Sequence, residues 1–447
     1  MKTIAQARLA LRRGETTAAA LVAEALERAS DRSGQGPATF LALHRDAALQ
    51  AARAADAAYA QGRPASPLAG LPVSVKDLFD FAGEVTRAGS RVRADAPPAA
   101  QDSVVVQRLR QGGAAIVGRT NMTEFAYSGL GLNPHYGTPL NPFDRAAARI
   151  PGGSSSGAAV SVSDGMALAS VATDTGGSAR IPAAFCGLTG FKPTAARIPA
   201  AGAFPLSPSL DAVGSIGPSV ACCAQLDTVL AGEHWELPPV PHPANLHLGV
   251  VVDYVTEDLA PQVARAYQKA LERLSAAGVK VTEIRYPELF ELPAYNQKGG
   301  FAAYESYGLH ESLIGRRGGE YDPRVAARIL RGKQMDATDH ALLKEQRAQF
   351  VRSSQPRFQG FDALVAPTVP MIAPRISDCE PESEFGRLNL LALRNPSVVN
   401  FLDGCAISIP CQEAGDPPVG LMLFQTAFAD RALLAVALAI ESRLQLE

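Results

Sequence analysis

Residues 152–187 read GGSSSGAAVSVSDGMALASVATDTGGSARIPAAFCG. Two glycine-serine segments, Gly152 to Gly157 and Thr173 to Arg180, stand out around two apolar stretches. Ala158 to Ser163 reads as a helix, and Leu168 to Ala172, apolar and bounded by turn residues, as a buried strand. Pro182 to Cys186 reads as a short helix, with Pro in its first turn and Gly187 at its end. Loop, helix, strand, loop and helix in such quick succession are the alternation of an α/β fold. Upstream, Gly129 to Gly157 is rich in Gly, Pro, Asn and Ser, which predicts a long loop with little regular structure, the kind of segment that carries function.

The same alternation extends in both directions. Residues 16–30 and 46–61 have the apolar spacing of amphipathic helices, the first with Thr17 as its N-cap and the second ended by Gly62-Arg63-Pro64. Leu71-Pro72-Val73-Ser74-Val75-Lys76-Asp77 has strand composition and places a basic residue where the apolar alternation stops. Residues 102–111 predict a helix and 114–118 a short buried strand. Further on, strand 248–253, helix 261–277 and strand 279–284 have the crossover spacing of a parallel pair. Residues 296–352 read as mostly helical, a cap about that long; 363–367 and 421–424 read as strands, and 429–444 as a closing helix. No internal repeat, low-complexity tail or linker interrupts the chain, so residues 1–447 are expected to form one domain.

Composition removes several function classes. The 447 residues carry 42 Lys and Arg against 44 Asp and Glu, a formal charge of −2, without the basic excess of a nucleic-acid binder. No run of about 18 apolar residues offers a membrane span; the apolar stretch Ala432 to Ile440 stops at Glu441 and Arg443. Arginines arrive too early in MKTIAQARLALRRGE for a signal peptide. Six cysteines with no C-x-x-C, two of them adjacent at Cys222 and Cys223, form no disulfide framework, and a reducing cytoplasm is the expected setting. Seven histidines without H-E-x-x-H or zinc spacing to cysteine give no metal site.

Chemistry concentrates in the two clusters. Backbone without Cβ can approach a substrate and aim successive N–H groups at a developing oxyanion, and Thr175, Gly176, Gly177 and Ser178 offer up to four such donors around one point. A serine nucleophile also needs a base. No histidine lies between His135 and His234, so lysine is the alternative: Lys76, if buried at its strand end, would lose its charge to desolvation. Gly153-Ser154-Ser155-Ser156-Gly157 also matches the G-x-S-x-G elbow of α/β-hydrolases, but that turn must follow a buried strand, and Arg145 to Pro151 is not one.

Val75-Lys76-Asp77, Gly152-Gly153-Ser154-Ser155, Asp174-Thr175-Gly176-Gly177-Ser178 and Cys186-Gly187-Leu188-Thr189-Gly190-Phe191-Lys192-Pro193-Thr194 together resemble the amidase signature family. The 24 residues from Ser154 to Ser178 match the family's own spacing, and segments 118–126, 133–139 and 418–421 resemble it too. The resemblance is dense from about 66 to 218 and looser beyond.

It implies an α/β fold with a mixed twisted sheet between helix layers, and a Ser-cisSer-Lys triad. In that triad Ser178 is the nucleophile, Ser154, joined to Gly153 by a cis bond, passes the proton, and neutral Lys76 is the base. Backbone N–H groups of Thr175 to Ser178 form the oxyanion hole, Asp174 and Arg180 hold that loop in shape, and Tyr127 lines the acyl pocket. The implied reaction is hydrolysis of a small-molecule amide to a carboxylate and ammonia or an amine, with no cofactor or metal. The oligomeric state is open, a homodimer being common among soluble enzymes.

Two departures from the family pattern stand out. Ser156-Gly157 replaces the usual Gly-Gly, and Asn400 to Pro410, resembling the pocket-side loop, has Cys405 where Pro is common. Its Asp403-Gly404-Cys405-Ala406 is similar to allophanate-type members acting on urea derivatives. Besides a hydrolase of ureas or urethanes, the alternatives are the catalytic A subunit of a glutamyl-tRNA amidotransferase and a scaffold without activity. Specificity is expected to lie near Tyr127, 201–210, 296–352 and 395–405.

Overall fold

Along Gly420–Gln425 the side chains alternate between two buried clusters, Leu421 and Leu423 in one, Met422 and Phe424 in the other. Ala363–Pro367 does the same, with Ala363 and Val365 opposed to Leu364 and Ala366. A strand whose two faces are both apolar requires cover on both sides. Helices Val220–Ala231, Pro261–Ala276 and Asp430–Leu444 supply it on one face, and Gly300–Arg317, Ala337–Ser354 and Glu382–Phe401 on the other. The computed structural model describes residues 1–233 and 236–444.

The strands, in chain order, are β1 (Phe40–Leu43), β2 (Pro72–Lys76), β3 (Ala115–Thr120), β4 (Ala169–Asp174), β5 (Thr189–Lys192), β6 (Ala212–Gly217), β7 (His247–Val251), β8 (Lys280–Ile284), β9 (Ala363–Pro367), β10 (Cys405–Pro410) and β11 (Gly420–Gln425). They form one 11-stranded sheet in the order β1-β3-β2-β4-β6-β5-β10-β11-β9-β7-β8. Parallel ladders join β3-β2-β4 near one end and β9-β7-β8 at the other, and antiparallel ladders fill the middle. The expected mixed sheet between helix layers is the observed fold.

Most predicted elements stand within two residues of their expected bounds. Ala18–Ser30 begins where the Thr17 hydroxyl accepts the Ala20 N–H, and Val104–Gln111 where the Ser103 hydroxyl accepts the Val106 N–H. The parallel β7-β8 pair and its crossover helix are present. Four strands lie outside the sequence reading: β1, β5, β6 and β10. Asn400 to Pro410, read as a loop, instead ends the helix Glu382–Phe401, turns at Leu402 to Gly404 and continues as β10. Pairing on both sides, with β5 and β11, draws that segment into the sheet.

This topology sets up a site. β2 and β4 run parallel and adjacent, with Val75 opposite Val171, so both end on the same edge of the sheet. Lys76 closes β2 and Asp174 closes β4. The carboxyl ends of parallel strands are where α/β proteins place ligands.

Candidate active site

Every residue of β2 is buried, and Lys76 is fully so. Its ammonium nitrogen lies 2.7 Å from the Ser154 hydroxyl and 2.8 Å from the Thr173 hydroxyl. Neither partner is an anion. Burial pushes the Lys76 pKa down from 10.5 to about 7, with only partial resistance from the charges of Asp211 and Asp174. A lysine so placed can exchange a proton near neutrality.

Ser154 reaches Lys76 from the loop that opens helix Ser156–Ser163, and the Gly153–Ser154 peptide is cis. Gly153 is needed for close approach: a Cβ there would sit 2.5 Å from the Gly131 nitrogen. The Ser155 N–H donates to the Ser178 carbonyl at 3.3 Å, which ties the two serine segments together.

Ser178 is buried, yet it lines a cavity of about 720 Å³ together with Thr175 and Gly176. Lys76 and Ser154 lie behind it, outside the lining. The 175–178 turn is held from beneath by Asp174. That carboxylate accepts the Gly177 N–H at 2.9 Å and the Ala179 N–H at 3.2 Å, and pairs with Arg180 through contacts of 2.8 and 3.0 Å. Asn400 closes the knot, accepting from Arg180 at 2.8 Å and donating to the Asp174 carbonyl at 2.9 Å. Burial pushes the Asp174 carboxyl up, but the Arg180 guanidinium and the charge on Lys192 outweigh it and hold it well below the usual carboxylate range.

Gly177 has φ +121°, and a Cβ there would meet Pro396 at 2.7 Å, so only glycine fits. Its N–H is turned toward Asp174. Among the described residues the N–H groups of Thr175, Gly176 and Ser178 have no hydrogen-bond partner, so three of the four expected donors are free.

Tyr127 lines the same cavity, buried, with the Arg328 guanidinium 4.6 Å above its ring centroid. The specificity segments converge there: Leu206 and Leu210 from the 201–210 loop, Asn296 and Arg328 from the helical stretch, Ser397 and Phe401 from the late segment. Two contributors were given no role in the sequence reading. Thr173 bonds Lys76 because β2 and β4 are parallel neighbours. Asp211 accepts the Thr175 hydroxyl at 2.6 Å and the Leu206 and Ser207 N–H groups at 3.0 and 3.1 Å, fixing the loop over the site. Burial pushes its carboxyl up to about 6 against those bonds. Among the described residues no group of three His, Cys, Asp or Glu is placed to hold a metal ion, and no helix is long and apolar enough to cross a membrane.

The family model for Amidase matches residues 20–434. The chain belongs to the Amidase family, and it is an amidohydrolase. It is 36% identical over 401 residues to the 2-amino-5-chloromuconic acid deaminase of Comamonas testosteroni, covering 88% of this chain and 86% of that one. It is 32% identical to the A subunit of the glutamyl-tRNA(Gln) amidotransferase of Chloroflexus aggregans, covering 97% and 94%. A solved amidase structure superposes with a TM-score of 0.89 at 33% identity, covering 99% of this chain and 100% of that one.

Proposed function

We propose that this amidase cleaves the C–N bond of a small amide through an acyl-enzyme on Ser178. The observation that carries the reading is the buried Lys76 nitrogen 2.7 Å from the Ser154 hydroxyl, with no anion in contact and a pKa near 7. Ser178 Oγ attacks the amide carbonyl carbon as its proton moves to Ser154, whose own proton passes to neutral Lys76. The oxyanion is held by the N–H groups of Thr175, Gly176 and Ser178, with Gly177 giving the turn its shape. The proton returns through Ser154 to the amide nitrogen, the C–N bond breaks, and ammonia or an amine leaves. Water then attacks the ester by the same route, releasing the carboxylate and restoring Ser178.

Residues 1–447 are read as one amidase domain with its signature core at about 66–218, and 296–352 as a helical cap over the cavity. The single sheet and the lining contributed by Asn296 and Arg328 support this for the described residues. Six free cysteines, all buried, fit a reducing, cytoplasmic setting.

The test is ammonia release from aliphatic, aromatic and amino-acid primary amides, with Ser178→Ala as control and fluorophosphonate labelling of the wild type. Release lost in the variant and an adduct on Ser178 are expected; an adduct on Ser154 or Ser155 would overturn the assignment. The likeness to the A subunit of an amidotransferase over 97% of the chain supports a second reading. Release confined to glutamine would favour it.

A further inference from the structure

The loop 206–211 contributes Leu206 and Leu210 to the cavity wall, whereas Ser207, Ser209 and Asp211 do not line it. Asp211 reaches the catalytic turn, where it accepts the Thr175 hydroxyl at 2.6 Å. The two serines reach Glu305, on helix Gly300–Arg317. One Glu305 oxygen accepts the Ser207 hydroxyl at 2.6 Å and the Ser209 N–H at 3.1 Å, and the other accepts the Ser209 hydroxyl. His340 Nε2 lies 3.3 Å from that second oxygen.

Glu305 does not line the cavity, and its side chain is only 11% exposed. A carboxylate withdrawn from water is costly unless donors replace the lost hydration, and three of its donors here belong to one loop. That loop is cross-braced. The Leu210 and Asp211 N–H groups both donate to the Ser207 carbonyl at 2.8 Å, and the Asp211 carboxylate takes the Leu206 and Ser207 N–H groups in return, so a displacement imposed at Ser207 carries to Asp211. Arg347, on helix Ala337–Ser354, donates to the Ser209 carbonyl at 2.9 Å and to the Phe401 and Asn400 carbonyls at 2.9 Å each. The Asn400 side chain bonds Asp174. Two chains of contacts therefore run from the 296–352 stretch to consecutive residues, Asp174 and Thr175.

Resting on the amidase reading above, we propose that Glu305 is a positioning residue for the oxyanion turn: through Ser207, Ser209 and Asp211 it fixes the Thr175 hydroxyl and with it the aim of the Thr175 N–H. Donors to an oxyanion act by being aimed before the charge develops, so a turn left free to reorient loses rate without losing substrate affinity. Helix Gly300–Arg317 then sets transition-state stabilisation as well as supplying Ala302 to the cavity wall.

Two measurements test it. In the first, ammonia release on the best amide is followed in Glu305→Ala, which should lower kcat about tenfold while KM stays within about threefold. Glu305→Gln, which keeps an acceptor for the serines, should recover part of that rate. Ser209→Ala removes two-sided contact from the loop instead of the helix, and should show the same kcat loss at a smaller size, about threefold, should Glu305→Ala fold poorly. Thr175→Val cuts the link at its other end. Glu305→Ala combined with Thr175→Val should be no more than about threefold slower than the slower single variant, because both act on one aim. A loss confined to KM, or single-variant losses that multiply in the double variant, would overturn the proposal.

The second needs no turnover: amide hydrogen exchange of the full chain, wild type against Glu305→Ala, read by mass spectrometry. Exchange should quicken by at least about tenfold in peptides spanning 206–211 and 174–180 and stay unchanged in β9 and β11. That pattern supports the link even if Ser178 proves not to be the nucleophile. Unchanged exchange at 174–180 would sink the proposal while leaving the amidase reading intact, and faster exchange in β9 and β11 as well would reduce Glu305 to a brace of the whole fold.

Discussion

Two buried cations flank the 175–178 turn, and the fold treats them in opposite ways. Arg180 is fully enclosed with Asp174, Asn400 and the Met422 sulfur as partners, so its charge is neutralised where it sits. Lys76 is equally enclosed but touches only hydroxyls. The paired cation is a structural fastening. The unpaired one is kept near the point of losing its proton, which suits a base and not a brace. Burial is the same in both; what divides them is whether a carboxylate is in direct contact.

The largest effect that would test this contrast is on Lys76. Lys76→Met should lower kcat/KM by on the order of 10⁴, as expected for removal of a positioned base, measured by ammonia release on the best amide. The same change should stabilise the fold. Folded Lys76 titrates at about 7 rather than 10.5, so between those values the unfolded chain binds the extra proton and wild-type stability rises with pH. Below the folded value the cost of the buried charge is present in full. Thermal unfolding of Lys76→Met should therefore show a gain on the order of a few kcal/mol at pH 6 that shrinks toward pH 10. A variant less stable than wild type at pH 6 would break the contrast.

Arg180→Met should act in the reverse sense. It strands the Asp174 carboxylate inside the protein, and breaking one side of a buried pair costs roughly 3–5 kcal/mol. Denaturant unfolding should show a loss of that size. Because Asp174 also holds the Gly177 and Ala179 N–H groups, activity in the folded fraction should fall too, without a shift of its alkaline limb.

The legibility of these parts in the sequence follows from how local each cause is. Lys76 could be placed because an apolar alternation ends on it, and the 175–178 turn because consecutive glycines announce close approach. β5 and β6 escaped because their sequences, TGFK and AVGSIG, carry few β-branched residues and several small ones; they are strands because their neighbours on both sides pair with them. β10 is similar: Cys405 to Pro410 borders a turn and is claimed by β5 and β11. Thr173 and Asp211 have ordinary sequence surroundings, and only the register of β2 on β4 and the path of the 206–211 loop bring them to the site. Arg328, which lines the cavity and stacks on Tyr127, shares its helix with Arg324, which pairs with Glu382, so nothing local marks which of the two faces the cavity.

The smallest expected effect probes Thr173, the second hydroxyl on Lys76. Valine has nearly the same shape, so Thr173→Val should leave the buried β4 packing intact. The hydroxyl accepts from the Lys76 nitrogen at 2.8 Å, and an acceptor favours the charged form of an amine. Its loss should therefore lower the Lys76 pKa below about 7, moving the alkaline rise of kcat/KM to lower pH by something under about one unit. Rate at the plateau should drop about tenfold or less, because Ser154 alone then orients the amine. A rate loss with an unmoved pH profile would reduce Thr173 to packing and leave Ser154 as the one hydroxyl that matters to the base. A shift in the opposite direction would mean that Thr173 donates to the neutral Lys76 and so favours its base form.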